Sequence, residues 1–361
     1  MSKTLDSLKL ISPTNEEVGP PLQWFNDSEL ENSQMNDGVA AKFQSMNWHR
    51  LKAVSEDRTL PFPMTFRWEK NKDSYINYKI IISKSNTLEN RLEYMITDKD
   101  SLEIFHLEVG QAYYWKVEAL QNEKILQESS VEKFYTNPTL PRWIHVKRMV
   151  NFRHIGGWKV GAHQRIKQSF IYRSSKLGLR EALEGKEIDF LENTLNIKTE
   201  IDLRAADNYK NQKPVLSEEL TKWINLPVRA YDGITEDSSQ ISYRKVFEIF
   251  GDISNYPIVY HCHGGCDRGG TVAFLLGGIL GMNQDDLIRD YELSSLAIWG
   301  RRSRHSDEFK TLITALESFA LGETEKNNWN ALCVRYLNGI GVDDILIDRI
   351  RMFIIWWIII H

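Results

Sequence analysis

The chain has 361 residues, of which 42% are hydrophobic and 26% are charged. This mixture is that of a globular protein of two or three domains, and it excludes a wholly disordered chain. Lysine and arginine number 45 and aspartate and glutamate 49, a net charge of −4, which excludes a polycationic nucleic-acid binder. Three cysteines cannot form a disulfide framework, and no metal-ligand spacing such as Cys-x2-Cys occurs. We expect no cofactor.

Residues 1–60 are rich in polar residues and proline, and we interpret them as an irregular lead-in with one strand near 8–11. Their first ten residues lack the apolar stretch of a secretory leader, so a cytoplasmic location is the default expectation, and export is expected only if a leader was removed. Short β-branched and aromatic runs between 61 and 140 then predict an all-β sandwich. The predicted strands are 65–68, 77–83, 91–96, 113–120 and 131–135.

This β region resembles a fibronectin type III domain. The run LEVGQAY at 107–113, followed by alternating apolar residues over 115–119, is similar to strand F of those domains. Trp68 stands where they carry a core tryptophan. The resemblance implies that the Tyr113 hydroxyl caps a corner of the sandwich while its ring fills the core. Such domains mostly space, dock or bind, so we expect the chemistry elsewhere in the chain.

After a short stiff joint at 138–141 (PTLP), strands alternate with helices over 141–351. This order predicts an α/β domain with a mostly parallel sheet flanked by helices. The predicted strands are 170–173, 199–203, 223–226 and 257–261, and the predicted helices are 183–196, 241–250, 269–280, 284–294, 306–321, 329–338 and 342–351. The apolar tail at 352–361 is shorter than the ~20 residues of a membrane helix, so no stable membrane insertion is expected.

The segment 258–271, IVYHCHGGCDRGGT, carries the chemistry. A buried strand ending at His261 leads into Cys262, a glycine-rich loop and an apolar helix. Glycine lets the backbone approach a ligand closely, and loop amides at a helix N-terminus bind anions. Arg268 can hold phosphate oxygens with a bidentate fork, and the same positive field favours a nucleophilic Cys262 thiolate. The predicted phosphate-binding residues are His263, Gly264, Gly265, Cys266, Asp267 and Arg268.

This segment resembles the His-Cys-x5-Arg signature of the cysteine-dependent protein tyrosine phosphatases. Further segments resemble, in order, motifs of the bacterial tyrosine phosphatases that also act on phosphoinositides: 151–157 (NFRHIGG), 172–174 (YRS), 201–204 (IDLR) and 290–294 (DYELS). The resemblance implies that Cys262 attacks phosphorus, that Arg268 stabilises the equatorial oxygens, and that water hydrolyses a phosphocysteine without a metal. It also implies that His261 orients the loop and tunes Cys262.

Two aspartates compete for the role of general acid. Asp267 directly precedes Arg268, where the phosphatases nearest to this pattern carry an aspartate proposed as the acid, and we favour it. Asp232 lies 30 residues before Cys262, a separation at which many relatives place a mobile acid loop. Asp237 is a distant third candidate.

The chain departs from the family pattern at three positions. Gly269 replaces the Ser or Thr whose hydroxyl helps the thiolate leave, which predicts slow turnover or a trapped phosphoenzyme, and Thr271 is not expected to substitute. Cys266 replaces a lysine, which weakens the phosphoinositide interpretation, and it lies near enough in sequence to Cys262 to suggest a reversible disulfide. His154 replaces an aspartate.

Basic residues near these motifs are either a solvated positive patch or contacts for additional phosphates. They are Arg153, Lys159, Arg173, Arg204, Arg301, Arg302 and Arg304. The leading interpretation is a phosphomonoester hydrolase acting on phosphotyrosine in a phosphorylated protein. The alternatives are a phosphoinositide or inositol-polyphosphate phosphatase, a phosphate-binding pseudophosphatase, and a protein whose β domain is its functional part as an adhesion or docking module.

Overall fold

The computed structural model describes residues 7–20, 61–70, 76–179, 181–205, 213–297 and 302–357. The chain divides into two compact units. Among the described residues, the first unit holds 7–20 and 61–142, and the second begins at Trp143. Of the helices in these ranges, none has the length and apolar character needed to cross a bilayer.

The first unit consists of short strands in two sheets. In chain order the strands are β1 (Leu10–Ser12), β2 (Glu17–Val18), β3 (Met64–Trp68), β4 (Asn77–Ser83), β5 (Leu92–Thr97), β6 (Ser101–Ile104), β7 (Ala112–Gln121), β8 (Lys124–Glu128) and β9 (Glu132–Tyr135). One sheet has the order β1-β3-β6, and the other has the order β2-β9-β7-β4-β5, with β8 paired to β7. Alternate side chains of both sheets bury a shared aromatic core, so the predicted β-sandwich is confirmed.

The predicted tyrosine corner is present in this sandwich. The Tyr113 hydroxyl accepts a hydrogen bond from the Glu108 amide at 3.1 Å, and its ring stacks on Phe134. Trp68 is fully buried, as expected. The sandwich also includes β1 and β2, which lie before residue 61, and the Trp115 indole fastens this segment by donating to the Pro13 carbonyl at 2.8 Å. Residues 21–60 of the expected lead-in lie outside the described residues.

The second unit alternates strands and helices. Its strands are β10 (Arg153–His154), β11 (Gln164–Ile166), β12 (Ile171–Ser174), β13 (Thr199–Asp202), β14 (Lys222–Asn225), β15 (Ile258–His261) and β16 (Ile355–Trp357). Its helices are α1 (Gly185–Asp189), α2 (Asp237–Phe250), α3 (Arg268–Leu280), α4 (Gln284–Leu293), α5 (Asp307–Glu317), α6 (Trp329–Gly339) and α7 (Asp344–Ile354). A π-helical turn follows α1 at Phe190–Thr194, and 3₁₀ turns lie at Tyr231–Thr235, Ile253–Asn255, Ser294–Leu296 and Glu323–Glu325.

The central sheet has the order β10-β12-β15-β13-β14 and is parallel except for β10. All residues of β12, β13 and β15 are buried; β15 (IVYH) is mostly apolar, whereas β12 and β13 also bury charged side chains. The predicted, mostly parallel α/β sheet is confirmed. Its register aligns Ser174, His261, Asp202 and Asn225 at the carboxyl ends of four strands. Ligand sites of open parallel sheets lie at this edge, and Cys262 follows it directly.

Two segments differ from the sequence prediction. The helix expected over 183–196 begins at Gly185, where Glu184 and Glu187 form a reciprocal capping pair, and its second half is the π-helical turn. The expected tail at 352–361 begins as the end of α7, and β16 then pairs antiparallel with β11. Residues 358–361 lie outside the described part of the chain.

Candidate active site

The candidate site is the turn between β15 and α3, residues 262–267, which we call the cysteine loop. Cys262 is 2% exposed, and its Sγ accepts a hydrogen bond from the Gly265 amide at 3.2 Å. Such a hydrogen bond stabilises a sulfur anion more than a neutral thiol. The loop therefore closes around the sulfur of the predicted nucleophile.

Gly265 is the position at which the loop requires glycine. Its φ is +70°, and a Cβ placed there would lie 2.4 Å from the Ser174 carbonyl oxygen at the end of β12. A side chain would therefore be strained by the backbone and would collide with the neighbouring strand. On the same side, the His263 carbonyl accepts a hydrogen bond from the Lys176 amide at 3.0 Å.

Two fully buried arginines lie beneath the loop and share one carboxylate. Arg153 Nε donates to Asp290 Oδ1 at 3.2 Å, and Arg173 Nη1 donates to Asp290 Oδ2. Burial acts to raise the pKa of Asp290, but the two guanidinium groups outweigh it and hold that pKa below its ordinary value. The expectation of a solvated patch or of substrate contacts at Arg153 and Arg173 is therefore wrong, because both side chains are committed to the interior.

These buried groups also hold the outer side of the loop backbone. Arg173 Nη2 donates to the Gly265 carbonyl at 2.7 Å, and Asn151 Nδ2 donates to the Gly264 carbonyl at 3.2 Å. The C=O and N–H of a trans peptide point in opposite directions. The Gly265 amide therefore points away from Asn151 and the Cys266 amide away from Arg173, and the Gly265 amide indeed reaches Cys262. The arrangement is a cradle of N–H groups around the sulfur, suited to an oxyanion.

Arg268 opens α3 at the mouth of the cradle and is partly exposed. Its guanidinium forms no ion pair with any side chain in the described ranges. Burial lowers the pKa of His263, and the positive charges of Arg268, Arg204 and Lys176 lower it further. The mouth is therefore cationic, with Arg268 available for an anion.

His261 lies behind Cys262, between two carboxylates of β13. Its Nε2 is 3.0 Å from Glu200 Oε1, and its Nδ1 is 3.8 Å from Asp202 Oδ1. Asp202 is held by Arg204 through two contacts of 2.8 and 2.6 Å. Sequence reasoning missed Glu200, although a glutamate inside a buried strand is itself a signal.

The two candidate acids have different surroundings. Asp267 accepts hydrogen bonds from the Tyr231 hydroxyl and from Arg302 Nε and Nη2, the latter two at 2.7 and 3.0 Å. Partial burial acts to raise the pKa of Asp267, but Arg302 and these hydrogen bonds lower it below its ordinary value. Asp232 is half exposed and pairs with Arg229 at 3.2 Å, while Asp237 is exposed at the start of α2.

Gly269 and Thr271 lie on the first turn of α3. A Cβ at Gly269 would lie 3.7 Å from a ring carbon of Tyr260, an ordinary contact, so the position has room for a small side chain. The Thr271 hydroxyl donates to the Asp267 carbonyl at 3.0 Å and accepts from the Tyr231 amide at 3.2 Å. That hydroxyl therefore already has two partners.

Cys266 and His154 are buried. Burial raises the pKa of the Cys266 thiol to about 12, and its Sγ donates to the Gly264 carbonyl at 3.3 Å. Cys262 and Cys266 are both free thiols in this structure, so their disulfide stays a prediction. The His154 ring packs edge-on against Tyr172.

The remaining predicted basic residues are dispersed. Arg304 pairs with Glu292 at 2.9 Å, Lys159 is exposed, and Arg301 lies outside the described residues. Of the two cluster members that the structure describes, Arg302 and Arg304, the former reaches the loop through Asp267.

Residues 144–348, more than half of the chain, match the family model described as "Tyrosine phosphatase family". No curated protein matches the sequence. Among solved structures, the second unit is similar to the core catalytic domain of the PP-IP phosphatase Siw14 from S. cerevisiae in complex with citrate, with 19% identity over 45% of this chain and 93% of that one and a TM-score of 0.30. Another structure of the Siw14 catalytic core is 19% identical over 44% of this chain and 88% of that one, with a TM-score of 0.27. A fibronectin type III domain derived from human KIAA0970 protein is 18% identical over 24% of this chain and 74% of that one, with a TM-score of 0.19.

Proposed function

The chain belongs to the tyrosine phosphatase family, and from this premise we propose that it hydrolyses phosphomonoesters through a phosphocysteine intermediate. The observation that carries the proposal is the cradle around Cys262. A buried sulfur accepts an amide hydrogen bond, and two loop carbonyls are held away from it. The Arg268 guanidinium lies at the mouth and forms no ion pair within the described part of the chain. These features fit attack by a thiolate on a phosphate dianion.

The first step forms an S–P bond and breaks the bond between phosphorus and the ester oxygen. Arg268 and the loop amides stabilise the negative charge on the equatorial oxygens. Asp267 gives its proton to the departing oxygen. In the second step water attacks the phosphocysteine, the Asp267 carboxylate takes a proton from that water, and the S–P bond breaks to release phosphate and thiolate.

We assign the acid to Asp267 rather than Asp232. Asp267 belongs to the cysteine loop and directly precedes the phosphate-binding arginine, whereas the Asp232 carboxylate is half exposed and paired with Arg229. The residue that reaches the loop from that segment is Tyr231, and its partner is Asp267 itself. Arg302 and Tyr231 together fix the Asp267 carboxylate beside Arg268.

Phosphotyrosine in a protein is the first substrate class that we propose. A phosphoinositide or inositol phosphate is the second, supported by the cationic mouth where Lys176, Arg204 and Arg268 surround His263. Additional phosphates would be drawn to this positive field. The burial of Arg153 and Arg173 removes two of the contacts expected for such a ligand.

The test is hydrolysis of p-nitrophenyl phosphate in the presence of a chelator. We expect activity in the parent and none in Cys262→Ser or Arg268→Ala, while Cys333→Ser, a buried thiol of α6, serves as the matched control and keeps parent activity. Hydrolysis that the Cys262→Ser variant retains would reject the mechanism. Binding of inorganic phosphate without turnover in the parent would favour a pseudophosphatase. Comparison of a phosphotyrosine peptide with an inositol polyphosphate then decides between the substrate classes.

A further inference from the structure

Glu200 is a carboxylate in an unfavourable place. It lies within β13, an interior strand of the central sheet, and is 1% exposed. Its neighbours across the sheet are Val259 of β15 and Trp223 of β14. A buried carboxylate is costly unless a partner compensates for the lost hydration. The group that compensates the Glu200 carboxylate therefore indicates the role of Glu200.

That partner is His261, whose Nε2 lies 3.0 Å from Glu200 Oε1. The other carboxylate oxygen, Oε2, is buried and has no hydrogen-bond partner among the described residues. The carboxylate thus connects to His261 and does not tie other elements together. A merely structural role would lead us to expect both oxygens to be used.

The contact fixes the imidazole ring. A carboxylate facing Nε2 places a proton on that nitrogen and sets the ring plane. Nδ1 then faces the Cys262 carbonyl oxygen at 3.4 Å, a contact that is a hydrogen bond when Nδ1 carries a proton as well, since the carbonyl only accepts. The Asp202 carboxylate lies 3.8 Å from Nδ1 and is already engaged by Arg204. The chain of contacts runs from Glu200 through His261 to the first peptide of the cysteine loop.

We propose that Glu200 is a positioning residue for the phosphatase reaction. Acting through His261, it orients the peptide that follows Cys262 and supports negative charge on the Cys262 sulfur. Its effect on turnover rests on the proposed function. Its effect on the reactivity of Cys262 toward an alkylating reagent does not, because that reaction requires only the thiolate.

Two variants of Glu200 test the proposal. Glu200→Gln keeps the size and an oxygen acceptor for Nε2 but removes the charge, and Glu200→Leu removes both. The readout is the rate of Cys262 alkylation by iodoacetamide between pH 5 and 8, followed by peptide mass spectrometry, together with kcat and KM for p-nitrophenyl phosphate. The matched control is Glu118→Gln, because Glu118 is also a nearly buried glutamate within a strand, but of the first unit.

We expect Glu200→Leu to slow alkylation at the acidic end of the range by about tenfold and to lower kcat similarly, with KM nearly unchanged. Glu200→Gln should show a smaller loss of the same kind, and Glu118→Gln should match the parent. Alkylation curves identical to the parent in both Glu200 variants would overturn the proposal, even if the melting temperature falls. If Glu200→Leu does not fold, Glu200→Gln decides alone. A parent that alkylates in a Glu200-dependent way but hydrolyses nothing would contradict the proposed function and the role of Glu200 in turnover, while its effect on Cys262 would stand.

Discussion

At the scale of single residues, the ion pair between Asp267 and Arg302 determines how the turnover rate depends on pH. Partial burial acts to raise the pKa of Asp267, but Arg302, Tyr231 and Arg268 together lower it below its ordinary value. A general acid works only below its pKa, where it still holds the proton. We therefore expect kcat for an ester with a poor leaving group, such as phenyl phosphate, to be highest on the acidic side of neutrality and to fall as the pH rises.

Arg302→Gln should move this alkaline limb to higher pH. Without the guanidinium, burial is opposed less strongly, by Tyr231 and Arg268, so the pKa of Asp267 should rise. We expect the alkaline limb to move up by roughly one to three pH units. The measurement is the pH profile of kcat with phenyl phosphate, with Arg304→Gln, whose partner is Glu292, as the control. An unchanged limb in Arg302→Gln would mean that Asp267 is not the acid.

Gly269 predicts slow release of the phosphoryl group from Cys262. The missing hydroxyl would stabilise the departing thiolate, and a small side chain fits at this position. Gly269→Ser should accelerate dephosphorylation by roughly ten- to hundredfold, the size of effect that one well-placed donor has. Rapid-quench measurements of the burst and the steady state report it, and Gly269→Ala separates the hydroxyl from the added carbon. Equal rates in the two variants would refute the assignment.

At the scale of elements, the cysteine loop depends on α4. Asp290 of that helix compensates two buried arginines, one of which holds a loop carbonyl. Asp290→Asn should lower the free energy of unfolding by about 3–5 kcal/mol, because it leaves buried charges uncompensated. Urea unfolding measures this. Asp348→Asn breaks an exposed pair with Arg351 and should cost no more than about 0.5 kcal/mol; similar losses in both variants would contradict the prediction.

The tyrosine corner is a second element whose contribution can be measured. Tyr113→Phe removes the hydroxyl that accepts the Glu108 amide and leaves a buried donor unsatisfied. We expect a loss of about 1–3 kcal/mol in the stability of the first unit. Tyr114→Phe, one position along the same strand, is the control and should change little. The measurement is unfolding followed by tryptophan fluorescence. Free energies of unfolding equal to that of the parent in both variants would disprove the prediction.

Elements with long, clear patterns were predictable from the sequence, and short ones were not. The apolar helix α3 has 13 residues and closely follows the apolar strand β15, so the Cys262 segment could be placed between them. The strands β10, β11 and β16 have two or three residues each, too few for a periodicity to develop. The pairings of Glu200 with His261 and of Arg302 with Asp267 join distant segments, and sheet register and loop path, which fix them, are not written in local sequence.

At the scale of the whole molecule, the change in pattern near residue 140 separates two units that are built differently. The family match lies within 144–348, so the proposed chemistry belongs to the second unit. The lead-in was harder to interpret, because β1 and β2 are short and pair with β3 and β9, which follow much later in the chain. Their place in the sandwich depends on those partners.

The cysteine loop owes its shape to residues that are far away in the chain. Asn151 and Gly264 are 113 positions apart, Arg173 and Gly265 are 92 apart, and Arg153 and Asp290 are 137 apart. Contacts of such separation form slowly during folding, because large loops must close first. On refolding from urea, the helical signal should therefore return before phosphatase activity does. The cradle would be among the last parts of the second unit to form, and a peptide of the loop alone would not bind phosphate.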